Sequence, residues 1–203
     1  KPMILRKGCF ILCCFCCLLS LQAQKFKGGL HAGLLATQVD GDDRGNYNKP
    51  GLFVGAFTAI PFHHDRMSIQ LEIDYAQKGS KARGKISDGS FNKSRLALHQ
   101  IEVPVLYNWK FIRNFSLTGG LSFNMIVKYK EYDLTGEPYP EDVTAYDLNF
   151  FELGLLLGLN YHLKEHYGMS FRYGYSITPL GPSLYRRIGL RNNFLQFHFS
   201  YTF

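Results

Sequence analysis

The sequence predicts an all-β fold, namely an eight-stranded antiparallel up-and-down transmembrane β-barrel that follows an N-terminal signal peptide. Three observations predict this fold. An uncharged apolar run lies near the start of the chain, eight later segments alternate apolar and polar side chains, and their connections alternate between short and long. A chain of 203 residues suits one domain. We therefore expect a signal peptide over 1–23 and an outer-membrane β-barrel domain over 24–203.

The first two dozen residues have the composition of an export signal. Lys1, Arg6 and Lys7 precede an apolar run over 9–21, which is shorter than the roughly 20 residues that a membrane-spanning helix needs. Cleavage is expected after Ala23. All five cysteines lie within this run, where we interpret them as small apolar residues rather than metal ligands, so the predicted mature chain has no cysteine.

Composition excludes several classes of protein. Removal of 1–23 lowers the formal net charge from +7 to +4, and the remaining basic residues are scattered, which argues against a nucleic-acid surface. Aromatic residues make up 15% of the chain, which favours strands over disorder. The mean hydropathy of −0.13 resembles that of a soluble protein, but averaging conceals the alternation of a transmembrane barrel.

Side chains alternate with a period of two in eight segments. The pattern is clearest where Met67, Ile69 and Leu71 share one face and Gln70 and Glu72 share the other. The first two segments are less regular and rich in glycine and alanine. The eight predicted strands cover 25–39, 51–62, 67–78, 100–111, 115–130, 151–164, 167–178 and 195–203.

The connections between these strands differ in length in a regular order. Residues 63–66, 112–114 and 164–166 form tight turns, whereas 40–49, 80–94, 133–145 and 179–191 are long and polar. This order is typical of an up-and-down meander whose two ends face different compartments. We therefore expect a barrel in the bacterial outer membrane with its four long loops outside the cell.

Alternation alone does not decide which face points outward, because a soluble lipocalin-like barrel also has eight strands. The apolar faces carry too many large side chains for the narrow lumen of an eight-stranded barrel. The segments are also longer than the average soluble strand of about 5–6 residues, and aromatic residues gather near their ends, as at Tyr107, Trp109 and Phe111. The apolar face is therefore expected to contact lipid.

The polar face then lines the lumen and includes both signs of charge. Buried charges persist when they are paired and hydrogen-bonded, so we expect a plug of cross-strand salt bridges; a narrow or gated pore and a catalytic site are the alternatives. The predicted lumen charge network comprises Glu72, Asp74, Lys78, Glu102, Lys110, Lys128, Lys130, Glu152, Arg172 and His198.

Several motifs carry a resemblance to a known family. They include Gly28-Gly29-Leu30-His31-Ala32-Gly33-Leu34, Val39-Asp40-Gly41-Asp42, Tyr47-Asn48-Lys49-Pro50-Gly51, Glu72-Ile73-Asp74-Tyr75-Ala76-Gln77-Lys78-Gly79-Ser80 and Ile101-Glu102-Val103-Pro104-Val105-Leu106. A chain with these motifs resembles the PorT-like outer-membrane β-barrel family of Bacteroidetes. The resemblance covers nearly all of 24–203, although the Leu52-Phe53-Val54-Gly55 opening of the second strand and the long loops depart from it.

This resemblance implies a fold and a location more than an activity. Some members of the family are accessory to the type IX secretion system, and the family supplies no catalytic residues to transfer. The alternating tail of Phe197, Phe199, Tyr201 and Phe203 resembles the signal that outer-membrane assembly machinery reads. Expected partners are outer-membrane lipid, the assembly machinery and a protein at the long loops.

The remaining motifs have ordinary structural explanations. The acidic run from Asp40 to Asp43 lacks the spacing of a calcium loop, and 63–65 is interpreted as a polar turn. Ser94, His99 and Glu102 are close in sequence, but no nucleophile motif surrounds Ser94. We expect no cofactor, metal or catalytic residue, and a structural or partner-binding role. The alternatives are a narrow porin-like channel for small solutes and a lipid-modifying enzyme.

Overall fold

The computed structural model describes residues 26–42, 44, 46–82, 92–140, 147–182 and 189–203. The predicted signal peptide over 1–23 and Asp43 lie outside the described residues. Among those described, no helix is both long and apolar enough to cross a membrane. The strands are β1 (Lys27–Asp40), β2 (Lys49–Phe62), β3 (Met67–Lys81), β4 (Arg95–Ile112), β5 (Phe115–Tyr132), β6 (Phe151–His162), β7 (Tyr167–Ser176) and β8 (Arg191–Thr202).

The eight strands form a closed antiparallel barrel in chain order, which confirms the predicted fold class. Each strand pairs with its neighbours in sequence, and β1 also pairs with β8, from Gly29 opposite Thr202 to Asp40 opposite Arg191. Closure leaves no edge strand. In a bilayer this matters because an unpaired backbone N–H or C=O has no water to bind.

The two ends of the barrel differ in the length of their connections. Residues 63–66, 113–114 and 163–166 link strands at one end, and 41–48, 82–94, 133–150 and 177–190 link them at the other. In barrels of the bacterial outer membrane, short turns face the periplasm and long loops face outward. The turn at His63, His64 and Asp65 is built from three residues with positive φ angles of 51°, 56° and 60°.

The outer wall of the barrel is apolar over the middle of the strands. Large side chains on it are well exposed, for example Ile73 at 61%, Phe123 at 57% and Phe171 at 51%. Their alternation with buried polar side chains follows the pattern predicted from the sequence. A continuous band of exposed apolar side chains on a closed barrel is the surface that contacts lipid.

At the extracellular end, the strands extend further than the alternation predicts. β4 begins at Arg95, and its inward residues Leu96 and Leu98 pack in an apolar cluster with Val39 and Ile126. Outward residues at this level include the charged Arg95, Lys128 and Lys130. The hydrophobic pattern of β4 therefore reverses once the strand leaves the apolar layer, because hydrocarbon no longer surrounds the outer wall. The sequence pattern therefore predicts a β4 that begins later than the observed strand, because the prediction requires an apolar outward face.

A β-bulge in β5 corrects two predicted lumen residues. His99 lies opposite Lys128, whereas the adjacent Gln100 lies opposite Ile126, so Val127 is an extra residue in β5. Beyond this bulge the alternation shifts by one, because two residues of β5 now face one residue of β4. Lys128 and Lys130 consequently point outward and are exposed, and their prediction as lumen residues was wrong. The buried residue at this level is Glu131 instead.

The barrel lumen as candidate functional site

The lumen gathers most of the charged residues that the sequence predicts for it. Seven of them are at most 3% exposed, namely Glu72, Asp74, Lys78, Glu102, Glu152, Arg172 and His198. They come from inward positions of β3, β4, β6, β7 and β8. The residues predicted to form an assembly signal, Phe197, Phe199, Tyr201 and Phe203, are exposed on the outer side of β8 and the chain end that follows it.

The strongest contact in the lumen joins Arg172 of β7 to Glu72 of β3, across the barrel. The guanidinium donates from Nη1 to Oε2 at 2.7 Å and from Nη2 to Oε1 at 2.8 Å. Both residues are almost fully buried. Paired hydrogen bonds between ions fix both side chains in place, and two desolvated charges compensate each other only in such a geometry.

A histidine that sequence reasoning missed lies beside this pair. His31 Nε2 of β1 is 2.6 Å from Asp74 Oδ1 of β3, and both side chains are 1% exposed. Gly55 of β2 leaves space for them, because a Cβ there would lie 1.9 Å from Asp74 Oδ1 and 2.7 Å from His31 Nε2. The irregular, glycine-rich pattern of the first two strands gave no sign that His31 faces inward.

A second buried cation fills the lumen between the apolar side chains. Lys78 of β3 forms an ion pair with Glu102 of β4. Its Nζ also lies 3.6 Å from the centre of the Phe194 ring of β8. The ring crosses the lumen beside Gly174, where any Cβ would overlap it. The cation is thus held by a carboxylate and an aromatic face together.

Glu152 departs from the expected network because its partners are neutral. Its carboxylate accepts hydrogen bonds from Gln100 Nε2 and Asn192 Nδ2, each at 2.8 Å, and from the hydroxyl of Ser176. Among the described residues, Glu152 forms no ion pair. The lumen is therefore filled by both salt bridges and amide-to-carboxylate hydrogen bonds, rather than by salt bridges alone.

Apolar side chains also block the lumen, which the sequence analysis did not predict. One buried cluster lies among the strands, and a second includes Leu180 and Leu190 of the connection between β7 and β8. The sequence does contain an indication of apolar residues in the lumen. Leu106 and Leu156 each lie between two apolar neighbours and so interrupt the alternation. The first cluster comprises Leu35, Phe53, Ala76, Leu106, Leu156 and Phe194.

A cavity remains at the periplasmic end. It has a volume of about 470 Å³ and is lined by polar side chains such as Gln70, Asn108 and Asn160. Lys110 lines it and is half-buried. The prediction that Lys110 joins the salt-bridge plug was wrong, because it lies at the open mouth, and it forms no ion pair with a described residue. A smaller cavity of about 90 Å³ reaches His31 and Arg172.

Three buried side chains have ligand atoms close enough to hold a metal ion. His31, Glu72 and Asp74 each place one such atom within 4.8 Å of the other two. Both oxygens of Glu72, however, accept hydrogen bonds from Arg172, whose positive charge lies where it would repel a cation. Zinc and similar ions bind imidazole and carboxylate, but a carboxylate already neutralised by guanidinium is a poor ligand.

The acidic loop after β1 uses its carboxylates within the protein. Asp42 accepts from the backbone N–H of Arg44 at 3.0 Å and from the hydroxyl of Ser80. Asp40 accepts from Gln38 Nε2 at 2.8 Å. Burial raises the pKa of the Asp42 carboxyl, which disfavours its charged form. These contacts give Asp40 and Asp42 a structural role and leave these two carboxylates poorly available to calcium.

The residues considered for nucleophilic catalysis are not brought together. Glu102 is buried in the lumen, whereas His99 lies on the outer side of the same strand, where its Nδ1 is 2.5 Å from the Tyr75 hydroxyl. Ser94 lies in the connection before β4 and donates its backbone N–H to Asn92. A nucleophile, base and orienting group must lie within hydrogen-bonding distance of one another, which this arrangement does not provide.

The Arg172–Glu72 pair generates a stability prediction. Replacing Arg172 by Met leaves the buried Glu72 carboxylate unpaired, which we expect to cost about 3–5 kcal/mol of unfolding free energy. Adding Glu72→Gln should recover most of the loss, because the remaining group is neutral. Urea unfolding in lipid vesicles measures both, with Arg113→Met on the exposed β4–β5 turn as a control. An unchanged free energy in Arg172→Met would contradict a paired, buried bridge.

Known proteins share this architecture. Among curated proteins, none matches the chain. Ail, the attachment invasion locus protein of Yersinia pestis, superimposes with a TM-score of 0.53 at 14% identity, covering 87% of this chain and 98% of Ail. Neisserial surface protein A does so with a TM-score of 0.52 at 13% identity, covering 88% of this chain and 97% of the other. At this identity the likeness concerns the fold alone.

A family match extends the comparison to the sequence. The family described as "Outer membrane protein beta-barrel domain" matches residues 22–181, which include β1 to β7. β8 lies beyond the matched range, but it closes the sheet that the matched strands form. The chain therefore belongs to the outer membrane protein β-barrel domain family and is an eight-stranded barrel of the bacterial outer membrane.

Proposed function

We propose that this protein is a closed, non-enzymatic barrel whose long loops bind a protein partner at the cell surface. The observation that carries the proposal is the filled lumen. The Arg172–Glu72 pair spans it, the Lys78–Glu102 pair lies beside the Phe194 ring, and apolar side chains pack above both. Among the described residues, a lumen filled in this way offers no continuous water path, so a protein partner would bind at the loop end.

The loop end has longer connections than the opposite end of the barrel. Four connections meet there, whereas the opposite end has three tight turns. The described part of the β5–β6 connection is ordered by its own contacts, because Tyr139 donates its backbone N–H to Glu131 O at 3.0 Å and Lys93 donates its backbone N–H to Leu134 O. The PorT-like resemblance supports a more specific role within this proposal, as an accessory to protein secretion.

A narrow channel for small solutes is the second candidate. The periplasmic cavity of about 470 Å³ favours it, because a channel needs such a polar entrance. The smaller cavity of about 90 Å³, however, ends at the buried charges, so Arg172 or its neighbours would need to move before a solute could pass. Breaking a buried ion pair costs several kcal/mol, so thermal fluctuation would open this path rarely.

Conductance in planar bilayers distinguishes these candidates. We expect no unitary current steps from the purified, folded protein at moderate voltage, because the buried pairs fill the lumen. Arg113→Met, on the exposed β4–β5 turn, leaves the filling of the lumen unchanged and should also stay silent, so it serves as the control. Stable steps of uniform size from the native protein would contradict the closed barrel and favour the channel.

Site-specific crosslinking tests the partner. A photoreactive amino acid at Glu137 or Leu134, both exposed in the β5–β6 connection, should yield a discrete crosslinked adduct in growing cells. The same amino acid at Arg113, in the short β4–β5 turn, is the matched control and should not yield that adduct. The absence of any loop-specific adduct, with the barrel folded and present in the outer membrane, would contradict a partner-binding role.

A further inference from the structure

Four exposed cations form a patch on the outer wall of the barrel, near its extracellular end. Lys81 ends β3, Arg95 begins β4, and Lys128 and Lys130 lie near the end of β5. All four are exposed. Strand pairing makes them neighbours, since Lys81 lies opposite Arg95, and Lys130 lies opposite Ala97, two residues from Arg95. We call these four residues the outer cation patch.

The bulge at Val127 is what completes the patch. Without an extra residue in β5, Lys128 and Lys130 would lie on the lumen side, where they were first predicted. Their outward direction leaves the lumen at this level to Glu131 and to an apolar cluster that includes Leu96 and Leu98. The bulge therefore places two cations outside and keeps the apolar cluster free of unpaired charge, and bulges often redirect side chains in this way.

No carboxylate of the described residues neutralises the patch. The four ion pairs among them involve other cations. In the loop after β5, Asp133 directs one carboxylate oxygen into its own turn, because Oδ1 accepts from Thr135 Oγ1 at 2.7 Å and from the N–H groups of Thr135, Gly136 and Glu137. Like charges directly opposite on adjacent strands destabilise a sheet. An external anion would remove this cost.

The height of the patch on the wall identifies the anion. Val127, directly before Lys128, is 62% exposed on the apolar wall, as is Phe123 at 57%. A strand rises about 3.3 Å per residue, so Lys128 and Lys130 lie about 3 and 10 Å beyond Val127 along β5. Arg95 lies opposite Tyr132 and Lys81, about 16 Å beyond Val127 along the strands, which is about 12 Å in height for strands tilted by about 45°. The four cations therefore begin at the apolar boundary and extend about 12 Å above it. Their side chains point away from the barrel axis, parallel to the membrane plane. Lipid headgroups of the outer leaflet occupy that level and direction.

A concave surface beside the patch gives a headgroup room to bind. The connection after β5 turns back, and Tyr132 bridges to Pro138. A cavity of about 530 Å³ lies between this segment and β5, and its lining includes Lys128, Lys130, Tyr139 and one acid, Glu131. Arg95 is held in place by stacking 3.8 Å from the Tyr132 ring centre. Cations beside aromatic rings suit a phosphorylated sugar better than a bare ion.

We propose that the outer cation patch binds the phosphate groups of lipopolysaccharide in the outer leaflet, with the sugar in the cavity beside Tyr139. The acyl chains then lie along the apolar wall below Val127. This inference depends on the outer-membrane location and the outward direction of the four side chains. It does not depend on a protein partner or on a closed lumen.

The test measures the affinity of the purified barrel for lipid A in mixed micelles by native mass spectrometry. One variant replaces Lys81, Arg95, Lys128 and Lys130 by Gln. The matched control replaces four exposed cations of the periplasmic end, Lys27, Arg66, Arg113 and Lys164, by Gln. Cations near an anionic membrane surface each contribute roughly 1 kcal/mol, so we expect the patch variant to bind at least about tenfold more weakly and the control to bind like the native protein.

Two further arms identify the ligand. Dephosphorylated lipid A should bind the native barrel as weakly as phosphorylated lipid A binds the patch variant. Sucrose octasulfate, a soluble polyanion without acyl chains, should displace lipid A poorly. Equal affinity of native and patch variant would overturn the proposal, and so would displacement by the soluble polyanion at a concentration equal to that of lipid A, which would indicate a site for soluble sulfated sugars.

A second variant with fewer substitutions keeps the proposal testable if the variant with all four cations replaced does not assemble. Lys128→Gln/Lys130→Gln removes only the two cations that the bulge turns outward, and both side chains are exposed, so folding should be retained. Heat-modifiable migration on gels verifies the folded state of each variant. We expect its affinity for lipid A to lie between that of the native protein and that of the variant with all four cations replaced. An unchanged affinity in this double variant, with the barrel folded, would overturn the assignment of these two lysines.

Discussion

The pairing of β1 with β8 removes both edges of the sheet, and the other features of the barrel follow from that closure. Inside a bilayer, each backbone N–H and C=O must find a protein partner, so a sheet spans the membrane only when it closes on itself. Closure with eight strands produces a narrow lumen. It also divides every strand into an outward face for lipid and an inward face for the filling.

Each buried charge in the narrow lumen needs partners that compensate for its loss of hydration. Arg172 and Glu72 satisfy each other, and Lys78 combines a carboxylate with the ring of Phe194. Glu152 instead collects neutral amide and hydroxyl donors from three strands. These contacts join strands that are distant in sequence, so they help to fix the register of the whole barrel. They also leave the ends and the outer wall as the surfaces on which a ligand or partner can bind.

The sequence predicted the part of the structure that obeys one rule throughout. Strand number, connection lengths and the lipid-facing wall follow from period-two alternation, and seven of the ten predicted lumen charges are buried where expected. The rule fails where its environment changes. Beyond the apolar layer the pattern reverses, which conceals the start of β4 at Arg95. A single inserted residue, Val127, moved Lys128 and Lys130 to the other face. His31 was missed because the glycine-rich first strands barely alternate.

The central claim is that the middle of the lumen is filled and dry while its periplasmic end is open. Thiol labelling of near-isosteric Ser→Cys variants tests this directly, because 24–203 contains no cysteine. Ser122 and Ser176 are buried in the filled region, and Ser200 lines the smaller cavity of about 90 Å³. A small water-soluble thiosulfonate should label Ser200→Cys rapidly and leave Ser122→Cys and Ser176→Cys unlabelled until the barrel is unfolded. Labelling of all three at similar rates in the folded protein would contradict the account.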